Sequence, residues 1–232
     1  MPSETIGIHS PDGEFSAYLA TPATTPAPGV LVIQEIFGVN EVMRGICDDL
    51  AADGFVALCP DLFWRLEPGL ALTDKTEADR QKAFELYGKF DVDKGVEDIQ
   101  AALDTLRERP ECTRKAGAVG YCLGGLLAYL TAARTDCDAA VGYYGVDIKS
   151  YLGEASRIRR PLMLHIAEND EFVSTEEQRA VRDALSPLPH VVIHSYPGTG
   201  HAFARAGGAH FDAAAAALAN DRTAKFFKEH LC

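Results

Sequence analysis

The chain is poor in the features that mark several large classes of protein. No apolar run in its 232 residues approaches the about 20 residues needed to span a bilayer. Base is scarce, with 22 Lys and Arg against 34 Asp and Glu, a formal net charge of −12. Such a surface repels nucleic acid and anionic membranes, so neither is expected as a partner. Met1-Pro2-Ser3-Glu4-Thr5 offers no basic region followed by an apolar stretch, and no signal peptide is expected. Cys47, Cys59, Cys112, Cys122, Cys137 and Cys232 follow no framework spacing. Scattered thiols in a chain of this size suit a reducing, cytoplasmic setting better than a disulfide scaffold. Cys-x-x-Cys, His-x-x-x-His and Asp-x-Asp-x-Asp-Gly are all missing, so no metal or other cofactor is expected. What remains is an acidic globular chain, expected to be a monomer.

What is present alternates between strand and helix signals. Glu4–Ser10 and Glu14–Ala20 read as a hairpin across Pro11-Asp12-Gly13. Val30-Leu31-Val32-Ile33 is an unbroken apolar run, as a strand buried on both faces of a parallel sheet requires. Asn40 caps a helix to about Asp53, where Gly54 stops it, and Phe55–Cys59 is the next strand. Helices follow over about Thr76–Lys89 and Asp91–Arg107. Later strands are expected at Ala118–Tyr121, Ala139–Tyr143, Pro161–Ala167 and Val191–Tyr196, with helices at Leu123–Arg134, Thr175–Leu185 and Ala209–His230. The alternation predicts a single α/β domain over residues 1–232, a mostly parallel central sheet with helices on both faces.

One turn stands out. Gly120-Tyr121-Cys122-Leu123-Gly124 lies between an apolar strand and a helix, with Cys122 at its tip. The Gly-x-Ser-x-Gly form of this turn holds a nucleophile in a strained conformation above a sheet. Gly120 and Gly124 leave space where strand and helix pass, and the first N–H groups of the helix favour negative charge on sulfur or oxygen. Taken alone, the motif also fits a buried structural cysteine.

The downstream residues decide between these. Cys122, Asp170 and His201 lie in three separate strand-end loops, in the order nucleophile, acid, histidine. A nucleophile needs a base within hydrogen-bond reach, and the base needs an acid to fix its tautomer. Singly, Asp170 could be a turn acid and His201 a surface-loop histidine. Glu168 competes for the acid's place, and His165, inside an apolar strand, reads as a core residue. Glu35 is an acid just beyond a buried strand, where ligand sites of open α/β sheets lie.

Longer segments carry a resemblance. Gln34-Glu35-Ile36-Phe37-Gly38-Val39-Asn40, Cys59-Pro60-Asp61-Leu62, Gly120–Gly125, Val141–Gly145 and Gly200-His201-Ala202-Phe203-Ala204-Arg205 together resemble the dienelactone hydrolase (carboxymethylenebutenolidase) family over nearly the whole chain. The resemblance implies an α/β-hydrolase fold and a carboxylic ester hydrolase. Its activity would open the lactone ring of dienelactones to maleylacetate, in bacterial breakdown of chlorinated aromatics. It implies Cys122 as nucleophile, His201 as base, Asp170 as its orienter, and Glu35 as a carboxylate that holds the resting cysteine and helps deprotonate it. Arg80 and Arg205 match the arginines that bind the substrate carboxylate, whose planar forks pair both oxygens. The N–H groups of Ile36 and Leu123 match the oxyanion hole, while Phe37 and Tyr144 border the substrate. Family members carry tyrosine, tryptophan and serine where this chain has Phe84, Tyr87 and Ala202, so the pocket is expected to differ in preference. A thiolate beside Glu35 alone would be repelled, so the free protein is expected to hold a neutral thiol. Two other readings are a related cysteine hydrolase for other lactones or small esters, and a non-catalytic binding module on the same fold.

Overall fold

The computed structural model describes residues 2–232. Its Cα atoms group into two compact units, Met1–Gly117 and Ala118–Cys232, and the boundary falls inside strand β5 (Cys112–Tyr121).

The first unit opens with the expected hairpin of β1 (Ser3–Ser10) and β2 (Gly13–Ala20), paired from Ser3 opposite Ala20 to Ser10 opposite Gly13. β2 pairs antiparallel with β4 (Val56–Pro60), and β4 pairs parallel with β3 (Ala27–Ile33). Val30, Leu31, Val32 and Ile33 are all fully buried, which fits their unbroken apolar run. Each such side chain contributes about 1.5–3 kcal/mol by leaving water. Three helices surround these strands, and each starts at a capping residue legible in the sequence. Asn40 caps α1 (Glu41–Ala52), its side chain accepting from Met43 N–H at 3.1 Å. Thr76 caps α2 (Glu77–Tyr87) through Asp79 N–H, and Asp91 caps α3 (Val92–Glu108) through Lys94 N–H.

In the second unit β5 leads through Cys122 into α4 (Leu123–Arg134), followed by the parallel strands β6 (Ala139–Tyr143), β7 (Leu162–Ala167) and β8 (Val191–Tyr196). Between β7 and β8 lies α5 (Thr175–Leu185), started by a capping box of Ser174 and Glu177. The eight strands are mostly parallel and alternate with helices, the α/β class that the sequence pattern predicts.

Several elements differ from expectation: β3 begins at Ala27 and β5 at Cys112, earlier than their apolar runs, and two further differences lie in the second unit. No element is expected from the sequence over Ile148–Arg157, which forms a 3₁₀ helix. It enters through Asp147 in the left-handed region and is fastened to α4 by a bidentate Arg134–Glu154 pair at 2.6 and 2.8 Å. The last helix, α6 (Ala213–Leu231), starts four residues later than Ala209. Asp212 N–H donates to Phe203 carbonyl at 2.9 Å, which folds residues 203–212 into a loop, and the Asp212 side chain then caps the alanine run. Among the described residues no helix is long and apolar enough to cross a membrane. All six cysteines are free.

Candidate active site

The turn at Cys122 is built by close backbone contact. Cys122 has φ +57° and ψ −115°, a conformation an L-residue adopts only where its surroundings enforce it. A Cβ on Gly120 would meet the Gly124 carbonyl oxygen at 1.9 Å, so no other residue fits there. A Cβ on Gly125 would come within 2.6 Å of the Tyr143 carbonyl oxygen and 2.7 Å of Gly145 Cα. Gly125 is therefore required as well as Gly120, and the motif alone did not single it out. Cys122 N–H donates to Tyr143 carbonyl at 3.1 Å, and its own carbonyl accepts from Gly125 and Leu126 in the first turn of α4. Leu123 is the first residue of α4, where an N–H has no carbonyl within the helix to bond. The Cys122 side chain thus sits at the positive end of a buried helix, a setting that stabilises a thiolate or an oxyanion.

His201 and Asp170 come from the loops after β8 and β7 and meet. His201 Nδ1 donates to Asp170, 2.9 Å from Oδ2 and 3.1 Å from Oδ1, with both side chains buried. Asp170 is itself aligned by Phe172 N–H at 2.9 Å. With Nδ1 so bound, Nε2 is the ring atom left for proton transfer. Nε2 is buried and makes no regular hydrogen bond, although the Cys122 sulfur is close enough to act on the ring. Such bonds are often off line in unliganded sites. Burial works against a charged ring, but the negative charge of Cys122 and the bond to Asp170 outweigh it and push His201 up to about 10. This arrangement favours a protonated His201 ring.

Aromatic rings wall the histidine. Tyr144 packs edge-on at 5.2 Å between ring centres and is itself held at φ +38°. Phe172 packs edge-on at 4.8 Å from the other direction and is half exposed. Sequence reasoning missed Phe172, and its only signal is its place two residues after Asp170. Glu168, the competing acid, lies at the end of β7, where its N–H bonds Tyr196 carbonyl at 3.2 Å. Arg205 stands in the His201 loop, its N–H donating to Ala202 carbonyl at 2.9 Å.

His165 has the core role that the sequence suggested. Its Nδ1 bonds Tyr196 hydroxyl at 2.8 Å and its Nε2 bonds Thr223 Oγ1 at 3.0 Å. Burial first, then the positive character of His194 and Arg222, holds it well below the ordinary 6.5.

The remaining candidates lie in the first unit. Glu35 is 1 % exposed, two residues beyond β3, with Ile36 and Phe37 also buried. Their segment is pinned from within the unit: Leu72 N–H donates to Phe37 carbonyl and Val39 N–H to Leu70 carbonyl. Gly38 takes φ +75°, and a Cβ there would meet the Leu70 carbonyl oxygen at 2.1 Å. Arg80 is occupied locally, donating to Asp74 carbonyl and to Glu77, each at 2.7 Å.

A cysteine forced into a left-handed turn at a helix start, in the same unit as a buried histidine fixed by an aspartate, has the makings of an α/β-hydrolase. A crystal structure assigned as a dienelactone hydrolase, from Klebsiella pneumoniae, shares the fold with a TM-score of 0.86 at 24% identity, covering 98% of each chain. The chain belongs to the dienelactone hydrolase family, which it matches over residues 15–231. It is 52% identical over 222 residues to a protein of Azospirillum brasilense assigned as a carboxymethylenebutenolidase, covering 95% of both. It is also 41% identical over 227 residues to the carboxymethylenebutenolidase of Pseudomonas putida, covering 97% of this chain and 96% of that one. It is accordingly an enzyme, a hydrolase.

Proposed function

We propose that the protein opens the lactone ring of dienelactone to maleylacetate through a Cys122–His201–Asp170 triad. The observation that carries this reading is the 2.9 Å Asp170–His201 bond, with the Cys122 sulfur acting on the other side of the ring. The Cys122 thiolate attacks the lactone carbonyl, giving a tetrahedral oxyanion in reach of the Leu123 N–H, with the Ile36 N–H as the assigned second donor. Collapse expels the ring oxygen as an enolate, which takes up a proton from the His201 imidazolium, and leaves an acyl-thioester on Cys122. Neutral His201 then removes a proton from water, which releases the acid and frees the sulfur.

Glu35 is assigned to the step that deprotonates Cys122, and Arg205 and Arg80 to the substrate carboxylate, with Phe37 and Tyr144 bordering the ring. For Arg80 this requires its pair with Glu77 to open. That pair is exposed and i,i+3 on a helix, so it is weak. The local engagement of Arg80 is also what favours a second reading, a cysteine hydrolase of other lactones or small neutral esters. A small anionic lactone as sole partner, a monomeric state and a cytoplasmic location complete the proposal.

Steady-state kinetics on cis- and trans-dienelactone beside a neutral p-nitrophenyl ester test it. The lactones are expected to be turned over with the higher kcat/KM, and Cys122→Ala to abolish both activities. Arg205→Ala is expected to raise KM about tenfold for the lactones and to leave the neutral ester nearly unchanged. Preference for the neutral ester, with no effect of Arg205→Ala on the lactone, would favour the second reading.

A further inference from the structure

The histidine loop carries a second device, one residue away from Asp170. Glu171 accepts from the His201 backbone N–H through Oε2 at 3.3 Å. His210, nine residues on, donates from Nδ1 to the His201 carbonyl at 3.2 Å, and the same nitrogen lies 3.3 Å from Glu171 Oε1. The two backbone groups of His201 are thus gripped by two side chains that also grip each other. Asp170 fixes the ring, and this pair holds the backbone that carries the ring.

The loop needs such a hold. Ala202, the next residue, is at φ +60°, a region that alanine enters only under constraint. Gly198 and Gly207, on either side, also have positive φ. Gly200 leaves the room: a Cβ there would come within 3.3 Å of His210 Nδ1 and 3.8 Å of Glu171 Oε2. The pair has little to offer as plain stabilisation, since the Glu171 and His210 side chains are 44% and 50% exposed, and exposed ion pairs contribute little. What it offers is position, and small displacements of a base cost rate steeply.

We propose that Glu171 and His210 are positioning residues that hold the His201 backbone so that its imidazole stays aligned with Cys122. This rests on the reading of His201 as the base. The test compares Glu171→Ala, Glu171→Gln and His210→Ala with the unaltered protein for kcat, KM and thermal midpoint, using p-nitrophenyl acetate. Glu171→Ala is expected to lower kcat about tenfold with KM within about twofold, His210→Ala less, and neither to shift the midpoint by more than about 2 °C. Glu171→Gln keeps an acceptor for the His201 N–H and is expected to recover most of the lost rate. Unchanged kcat in Glu171→Ala overturns the proposal. So do equal losses in the alanine and glutamine variants, or a loss that comes with a destabilised or unfolded chain. If the unaltered protein hydrolyses no ester or lactone, the reading of function fails, and the clamp is then judged by NMR. The His201 Nδ1 proton bonded to Asp170 is expected to be sharp in the unaltered protein and broadened by exchange in Glu171→Ala, whereas an equally sharp signal in both contradicts the clamp.

Discussion

Two buried histidines in the same unit, His165 and His201, have opposite electrostatic fates. His165 sits inside β7 between two hydroxyl groups, Tyr196 and Thr223, and the charged neighbours acting on it, His194 and Arg222, are positive. Burial therefore keeps it neutral and well below its ordinary 6.5. His201 is equally out of water, but it has a carboxylate on one nitrogen and a sulfur beside the ring, and it is raised to about 10. Burial alone makes a structural histidine, and burial next to matched anions makes one able to hold and return a proton. The same side chain is thus a core fastener in one place and a candidate catalyst in the other, and its partners rather than its depth decide which.

The comparison can be broken most severely at Asp170. Asp170→Asn keeps the shape but removes the charge and the tautomer control, and kcat is expected to fall about 10³–10⁴-fold with the fold intact. Stopped assays beside a circular dichroism melt measure both, and a loss of only a few fold would mean that Asp170 does not orient the base. The His165 side is expected to respond in stability and not in rate. His165→Leu leaves two buried hydroxyl groups short of a partner, at a cost of about 1–3 kcal/mol, with little change in kcat once folded.

The pH dependence sharpens the contrast further. Native His165 refuses a proton that the unfolded chain accepts, so it lowers stability progressively as pH falls below about 6.5, and His165→Leu should flatten that slope. His201 behaves oppositely. Its contribution is complete below the unfolded value and is lost as pH rises toward 10. Urea melts at a series of pH values separate the two, and an unchanged acid slope in His165→Leu would remove His165 from this account.

Much of this was legible in the sequence because it depends on short-range chemistry. Asn40, Thr76 and Asp91 announce helix starts by capping, and the glycines around Cys122 announce a tight turn. The order Cys122, Asp170, His201 suggested that Asp170 and His201 meet, although no spacing could give the 2.9 Å contact. What could not be read depends on neighbours distant in the chain. Gly125 is required by Tyr143 and Gly145, on another strand and its loop. The start of α6 is set by a hydrogen bond from Asp212 to Phe203, which moved it past the point where the alanines begin to look helical. The pair of Arg80 with Glu77, three residues before it, had a plain sign in the i,i+3 spacing, although the family pattern drew the reading to a substrate carboxylate instead. Phe172 and Glu171 were passed over because each looks like an ordinary loop residue until the loop of His201 is folded against them.

The proton on His201 is the point on which the proposed chemistry turns, and the His201 ring nitrogens report it directly. In a ¹⁵N NMR titration of the free protein, His201 is expected to stay protonated through neutral pH and to titrate at about 10, and Cys122→Ala to bring that value down. A His201 that titrates near 6.5 in both proteins would contradict the account.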